Sequence, residues 1–590
     1  MAQISTVSNS SVYQIKRWLG LNESPDGDTI LKMGESPVMR NFKITKEGHL
    51  QIRPGYSSVC QLSAGNHVRG LWSGYVGGKM YFLAACGGHI WSVNTNSWEA
   101  KSVGELDDAP THFFGFSQKV YVMNGTEYYS WDGQGSIAPV EGYVPIVSTA
   151  APPEGGGANL ERVNLLNGKR RMQFSPDGVA TVFHLPEKEV DEVISVEGGG
   201  EWTADLKAGT VTFDAAPEEA VNSVTITWKK GNGNRKKVCS MRFSETYNGS
   251  ADTRVFLYGD GTNDCIYSDL DENGIASAEY FPDMNFISVD SANTPINSMV
   301  RHYDRLMVFK ADGAFCIQYS TLTLETGAVT SAFTCIPVNR NIGSSVCGRS
   351  QLVKNNPRTL HGQGVYEWAL SGAGSRDERN AKRVSDRVGT TLAEFSLEDC
   401  VTFDDEEAQE FYVVCGNEAV VNNYSNDTWY YYTNFPATCF VSVEGSVYFG
   451  TPDGHIMFLS RIWHSDNGNP IDAYWESGAM DFGADLRRKY SSHIWVSMKP
   501  ESQSNIAITV QSDKKSDYAY KEISSTFSTF ANASFPRWTF NTSKRPRVAR
   551  VKLKVKKFTY YKLIFSSLSN LTTATILGSD FEVRYTGNVK

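Results

Sequence analysis

The sequence predicts an all-β fold whose main body is a β-propeller, and three observations carry that prediction. The first is a strand–turn–strand signature that recurs seven times between His67 and Ser460. It reads KMYFLAACGGHIWSV from Lys79, KVYVMNGTEYYSW from Lys119, RVFLYGDGTNDCIYS from Arg254 and RLMVFKADGAFCIQY from Arg305. It returns as EFYVVCGNEAVVNNY from Glu410 and SVYFGTPDGHIMFLS from Ser446, with a weaker copy, TLHGQGVYEW, from Thr359. Each copy joins a β-branched or aromatic run to a second apolar strand through Gly, Asp or Asn, the residues that supply positive φ in hairpin turns. The second observation is the period: 40 residues separate Tyr81 from Tyr121, and 36 separate Tyr412 from Tyr448. The third is composition, because 12% aromatic residues with 51 Gly in 590 residues suits pleated sheet with many tight turns. Several strands per unit at that period make a propeller blade, and the copies imply about six to eight blades.

Residues 1–35 are polar and turn-rich, with LNESPDGDT from Leu21, and read as an extended arm. NFKIT and HLQIR then alternate as two short strands joined at Lys46-Glu47-Gly48, after which Pro54-Gly55 breaks the second. The segment from Ala150 to Asn234 interrupts the repeat between the linker-like APPEGGGAN and KKGNGN. Its short runs RMQFS, ATVFHL, EVISVEG, GTVTFDAA and SVTITWKK read as a small all-β domain inserted between blades. Blade-like hairpins resume at Val238. Within them AGSRDERNAKRVSDRV, from Ala373, is the one strongly charged helix-compatible stretch, read as a solvated loop or short helix or else as a contact with a neighbouring subunit. From Pro470 the runs IDAYWESGAMDFG, SSHIWVSMKP, NIAITVQSD, FPRWTF, RVARVKLKVKKF, YYKLIFSS and SDFEVRYTG have the spacing of a sandwich. The division expected is an arm and first hairpin at 1–66, propeller parts at 67–149 and 236–469, the inserted domain at 150–235, and a C-terminal sandwich-like domain at 470–590.

Bulk properties exclude some functions. A net charge of −9 argues against a general nucleic-acid binder, which carries a basic excess. The ten cysteines form no C-x-x-C pair and read as buried free thiols, which suit folding in a reducing cytoplasm. The N-terminus has no signal-peptide pattern, and the longest apolar run, Met80 to Cys86, is too short to span a bilayer. A soluble chain made in a cytoplasm is expected.

No H-E-x-x-H, G-x-x-x-x-G-K-[ST] or G-x-S-x-G occurs, and the histidines lack ligand spacing, so no catalytic, cofactor or metal residues are assigned. The run Asp404-Asp405-Glu406-Glu407 has the residue types of a glycosidase pair, but four acids before a strand read as a solvated loop. YSNDTWYYY at Tyr424 is faintly like a sialidase Asp-box without its glycine. The strongest charged feature is basic: Lys544, Arg545, Arg547, Arg550, Lys552, Lys554, Lys556, Lys557 and Lys562. In VKLKVKK, Val551, Leu553 and Val555 should face inward and Lys552, Lys554 and Lys556 outward. Three readings stay open for it: a solvated sheet face, a contact with an acidic protein partner, or nucleic acid.

RNFKITKEGHLQIRPGY, Arg40 to Tyr56, resembles the N-terminal signature of bacteriophage tail nozzle (tail tubular) proteins, in which an "RN…G.L..RPG" hairpin precedes a propeller. Arg40, Asn41, Gly48, Arg53, Pro54, Gly55 and Tyr56 carry it. NAKRVSDRV at Asn380, EFYVVCGNEAVVNNYSNDTWYYY at Glu410 and YWESGAMDFGADLRRKYSSHIWVSMKP at Tyr474 also resemble phage structural proteins of this type, so the similarity covers most of the chain. The resemblance implies a virion protein, assembled in the host cytoplasm, that forms a homohexameric ring on the head-to-tail adaptor. Such a ring guides double-stranded DNA outward without binding it specifically, contacts the host envelope and carries no enzymatic site. The alternatives are a tail-tip adhesin that recognises host glycans and a glycan-cleaving propeller.

Overall fold

A computed structural model describes residues 10–23, 31–247, 253–323, 329–369, 380–514, 520–526 and 544–588. The chain is all-β and divides into many small sheets. No helix among the described residues is long and apolar enough to cross a membrane. Contacts group the chain into two units: Met1–Val68, Gly362–Tyr366 and Arg383–Lys590 form one, and Arg69–His361 with Glu367–Lys382 the other.

In the second unit the repeat becomes a series of antiparallel meanders. The first sheet runs through Val68–Val76, Lys79–Cys86, His89–Val93 and Ala100–Glu105, and the next through His112–Phe116, Lys119–Met123, Tyr128–Trp131 and Ala138–Pro139. A third uses Phe243–Tyr247, Arg254–Tyr258, Asp264–Tyr267 and Phe286–Ser288. The fourth has Ile296–His302, Arg305–Lys310, Gly313–Thr323 and Val329–Asn339, with Gly348–Arg349 added in parallel. Turn chemistry sets the registers. Cys86 faces His89 across Gly87 (φ 61°) and Gly88 (φ 76°), a two-residue turn with positive φ at both positions. The Asn124 side-chain oxygen accepts the amides of Thr126 and Glu127 and so closes the next turn.

Successive sheets share cores. Leu83, Ile90, Val120 and Trp131 join the first to the second, and Tyr121, Tyr128, Leu257 and Phe281 the second to the third. Tyr247, Phe256, Leu306 and Phe315 join the third to the fourth. Between the second and third lies a segment with its own core of Met172, Phe174, Phe183, Phe213, Ile226 and Trp228. Its larger sheet has the order Ala158–Asn159, Ile146–Ala151, Lys169–Phe174, Val224–Lys229, Glu192–Glu197, and its smaller one Val182–His184, Thr210–Phe213, Trp202–Asp205.

In the first unit, Val401–Asp405, Glu410–Cys415, Glu418–Asn423 and Thr428–Thr433 form another four-stranded meander. The hairpin strands Cys439–Val443, Ser446–Gly450 and His455–Leu459 are joined by Tyr56–Gln61, which pairs antiparallel with His455–Leu459. The same sheet continues through Ser465–Asp466 into Asn469–Glu476, Tyr561–Ser569, Ile506–Ser512 and Lys521–Ile523, and this part packs on a second sheet of Phe42–Ile44, Leu50–Ile52, Thr575–Asn588, Arg487–Met498 and Arg547–Phe558. Tyr561 bridges them, with its ring 5.0 Å from Phe558 and 5.9 Å from Phe581.

Three sequence expectations need correction. Residues 10–23 are not a free arm: Ser10–Ile15 pairs along its length with Thr575–Asn588, and Trp18 is fully buried against Trp475 and Phe565. The expected boundaries at 66 and 469 separate strands that fold together, and residues 383–469 group with the C-terminal module instead of with 236–382. Asp404-Asp405 is not loop, because it ends the strand Val401–Asp405 and Asp405 is buried. In the charged stretch at Ala373, residues 373–379 lie outside the described residues, as do 24–30 of the arm and the FPRWTF run. Its remainder leads into two short helices, Asp386–Val388 and Gly389–Glu394. All ten cysteines are free; six are buried and Cys347 is exposed.

Candidate functional site

The residues of the N-terminal signature meet around one buried ion pair. The expected hairpin forms, with Phe42 opposite Ile52 and Ile44 opposite Leu50, and Gly48 (φ 85°) closes its turn. This carries Arg53 inward, where its guanidinium grips Asp466 in a two-point bond, Nη1 to Oδ1 at 2.8 Å and Nη2 to Oδ2 at 2.6 Å. Nε donates to the Asn41 side-chain oxygen (2.8 Å), Nη1 to the Pro54 carbonyl (3.2 Å) and Nη2 to the Thr433 carbonyl (2.9 Å). All five N–H donors of the arginine are therefore used. Asn41, held at φ 56°, in turn donates to the Thr433 hydroxyl and the Asp472 carbonyl. Arg40 pairs with Asp472 at 2.9 Å on the surface side. A Cβ on Gly55 would collide with the Ser465 carbonyl, so only glycine fits there. The Tyr56 hydroxyl donates to the Asn434 carbonyl, and burial raises its pKa far above the ordinary phenol value. Asp466, Asp472 and Thr433 were not singled out in the sequence. The signal for Asp466 was an otherwise ordinary S-D-N-G turn.

Beside this network a cavity of about 760 Å³ opens in the first unit, lined among others by Lys43, Asp405, Glu410, Tyr432, Arg461 and Trp463. Three of its acids are paired: Lys43 lies 2.8 Å from Glu410, and Arg461 reaches Asp405 at 3.6 Å and Glu407 at 3.2 Å. Burial raises the Asp405 carboxyl above its usual range despite the Ala408 amide and the Arg461 cation, which oppose the shift. A raised carboxyl adds stability below its unfolded value, about pH 3.9, that is lost as pH rises through the folded value. Asp405→Asn should therefore match the parent below about pH 4 and melt above it at pH 7. Thermal melts across that window test this, and equal melting at both ends would contradict the assignment. Among the described residues no group of three or more His, Cys, Asp and Glu is arranged to hold a metal ion.

The basic cluster lies on the strand Arg547–Phe558, at one end of its sheet. Val551, Leu553 and Val555 are buried, while Arg550, Lys552, Lys554 and Lys556 are exposed, as the alternation requires, and Lys557 is exposed where a bulge interrupts it. Lys544, Arg545 and Arg547 continue the exposed run, with Arg547 donating to the Ser524 carbonyl. Lys562 leaves the cluster, because it sits in the facing sheet and pairs with Glu476 at 2.7 Å. On the neighbouring strand Trp495 faces Arg550 and His493 faces Lys552. The Arg550 guanidinium lies 5.9 Å from the Trp495 ring. Partial burial, then the Arg550 and Lys552 cations, hold the His493 imidazole below its usual pKa.

No family model matches the chain. No curated protein matches it. Solved structures similar to it include the computationally designed Ika8 protein, at 10% identity over 68% of this chain and 99% of that one, TM-score 0.29. The extracellular domain of the putative one component system BT4673 from B. thetaiotaomicron matches at 11% identity over 92% and 80%, TM-score 0.25. An exo-beta-1,3-galactanase from Phanerochaete chrysosporium matches at 9% identity over 83% and 98%, TM-score 0.17. Likeness at this level carries no argument about the architecture or function of this chain.

Proposed function

We propose that this chain is a structural protein of a bacteriophage tail, a nozzle whose copies form a ring on the head-to-tail adaptor and enclose part of the DNA exit path. Its wall in this reading is a β-propeller of about six to eight blades. The observation that carries the reading is the fate of the Arg40–Tyr56 signature, the segment through which the chain resembles tail nozzles. Its Asn41 and Arg53 are spent on one saturated, buried network, and directly after it Tyr56–Gln61 pairs as a strand with His455–Leu459 of the sheet of Cys439–Leu459. A chain end that completes a sheet from the opposite end is how a propeller avoids an open seam. The shared cores between successive meanders support the same architecture. A net charge of −9 suits a conduit that must not hold phosphates, provided acids line the lumen. Negative-stain microscopy of the purified full chain should show closed rings, six-fold in the hexameric form, and mass photometry a single multiple of the 65.4 kDa chain mass. A monomer or trimer that lights up a glycan array would replace this reading with the adhesin.

A further inference from the structure

We infer that the cationic face of the strand Arg547–Phe558 docks against the acidic rim of the 146–229 segment of a second copy of this chain. The inference rests on the ring reading above and names the surfaces that would build it. Residues 544–562 hold nine Lys and Arg and no acid, so the rest of a chain of net −9 is more acidic than the total shows. The acid is concentrated. Residues 187–219 contain ten Asp and Glu against two Lys.

Among the described residues neither row of charges forms an ion pair within the chain. Lys552, Lys554, Lys556 and Lys557 are exposed and have no carboxylate in reach among the described residues. Lys554 (φ 54°) and Lys557 (φ 56°) take left-handed backbone where the register with Arg487–Met498 shifts. These bulges break the regular row of backbone donors and acceptors, so this edge is unsuited to adding another strand. What it offers is a comb of side-chain cations, with the partly buried Trp495 beside them. The acidic rim is built to a matching plan. Glu192–Glu197 is an edge strand that exposes Glu192 and Glu197, with Ile194 (40% exposed) between them and Glu201 beyond. Glu189, Glu197 and Glu201 make no ion pair among the described residues, and Glu192 makes none although Lys229 stands opposite it on the neighbouring strand.

A second copy is the occupant these charges favour. A free polyanion meets a chain that repels it at long range, whereas each neighbour brings one acidic rim for every cationic face. One patch meeting a different patch on the next copy is a heterologous contact, the type that closes into rings. Rows of exposed charge add orientation, association rate and salt dependence more than affinity.

The test uses the full chain in three forms: K552E/K554E/K556E, E192K/E197K/E201K, and one chain carrying all six changes. Each triple variant should self-associate about tenfold or more weakly than the parent, and the six-fold variant should recover assembly. Parent assembly should weaken when salt rises from about 0.15 M to about 0.5 M. Zero-length carbodiimide coupling of mixed isotope-labelled and unlabelled parent should link 552–557 to 189–201 between copies, a readout that needs no variant to fold. A parent ring without that cross-link, or triple variants that assemble like the parent, overturns the inference and leaves the ring reading standing. A parent that is monomeric throughout overturns both. Loss of assembly only in the lysine variant, with parent binding to duplex DNA or to anionic phosphatidylglycerol vesicles, assigns the face to phosphates and also overturns it.

Discussion

Arg53→Met is expected to lower the stability of the first unit by about 3–5 kcal/mol, because it strands the Asp466 carboxylate in the interior. Both side chains are 1% exposed, so water cannot take over the lost bonds. The same change takes the Nη2 donor from the Thr433 carbonyl and one of two donors from the Asn41 side-chain oxygen, which keeps its bond from the Thr433 amide. The size of the effect comes from desolvation, not from the strength of one pair. Arg53→Met combined with Asp466→Leu should therefore recover much of the loss, since two apolar groups leave no buried charge. Urea unfolding followed by tryptophan fluorescence measures both. A single variant within about 0.5 kcal/mol of the parent would show that the signature does not hold this unit together.

Trp18→Ala should cost about 3–5 kcal/mol, the loss typical of a fully buried aromatic. Trp18 sits 4.8 Å from Trp475 in an edge-to-face contact and 5.9 Å from Phe565, while its amide donates to the Gly48 carbonyl. The prediction separates two pictures of the N-terminal segment. A solvated arm would tolerate the change within about 0.5 kcal/mol. A segment that fills the core of the C-terminal module would not. Exposed Val12, three residues before Ile15 on the same strand, provides the control, since Val12→Ala removes almost no buried surface.

The hairpins could be read from the sequence because their determinants are local. Two or three turn residues fix the register of Lys79–Cys86 on His89–Val93, and both strands lie within fifteen residues of chain. Strict alternation made the lysine face of Arg547–Phe558 equally legible, since one period-2 pattern decides both faces. What could not be read is non-local. Arg53 and Asp466 are 413 positions apart, and nothing in an S-D-N-G turn marks its acid as the mate of a distant arginine. SSVYQI looks like a polar arm because only Ile15 turns fully inward, so its pairing with Thr575–Asn588 leaves little hydrophobic trace. The left-handed lysines at 554 and 557 are invisible for a different reason. Lysine does not favour that conformation, so the bulges are imposed by the pairing with Arg487–Met498 and not by local preference.

The most direct test of the account is the state of the purified full chain in solution. Mass photometry with negative-stain microscopy should find one closed ring of identical copies, and that ring should loosen as salt rises. A population that stays monomeric at every concentration and salt would contradict it.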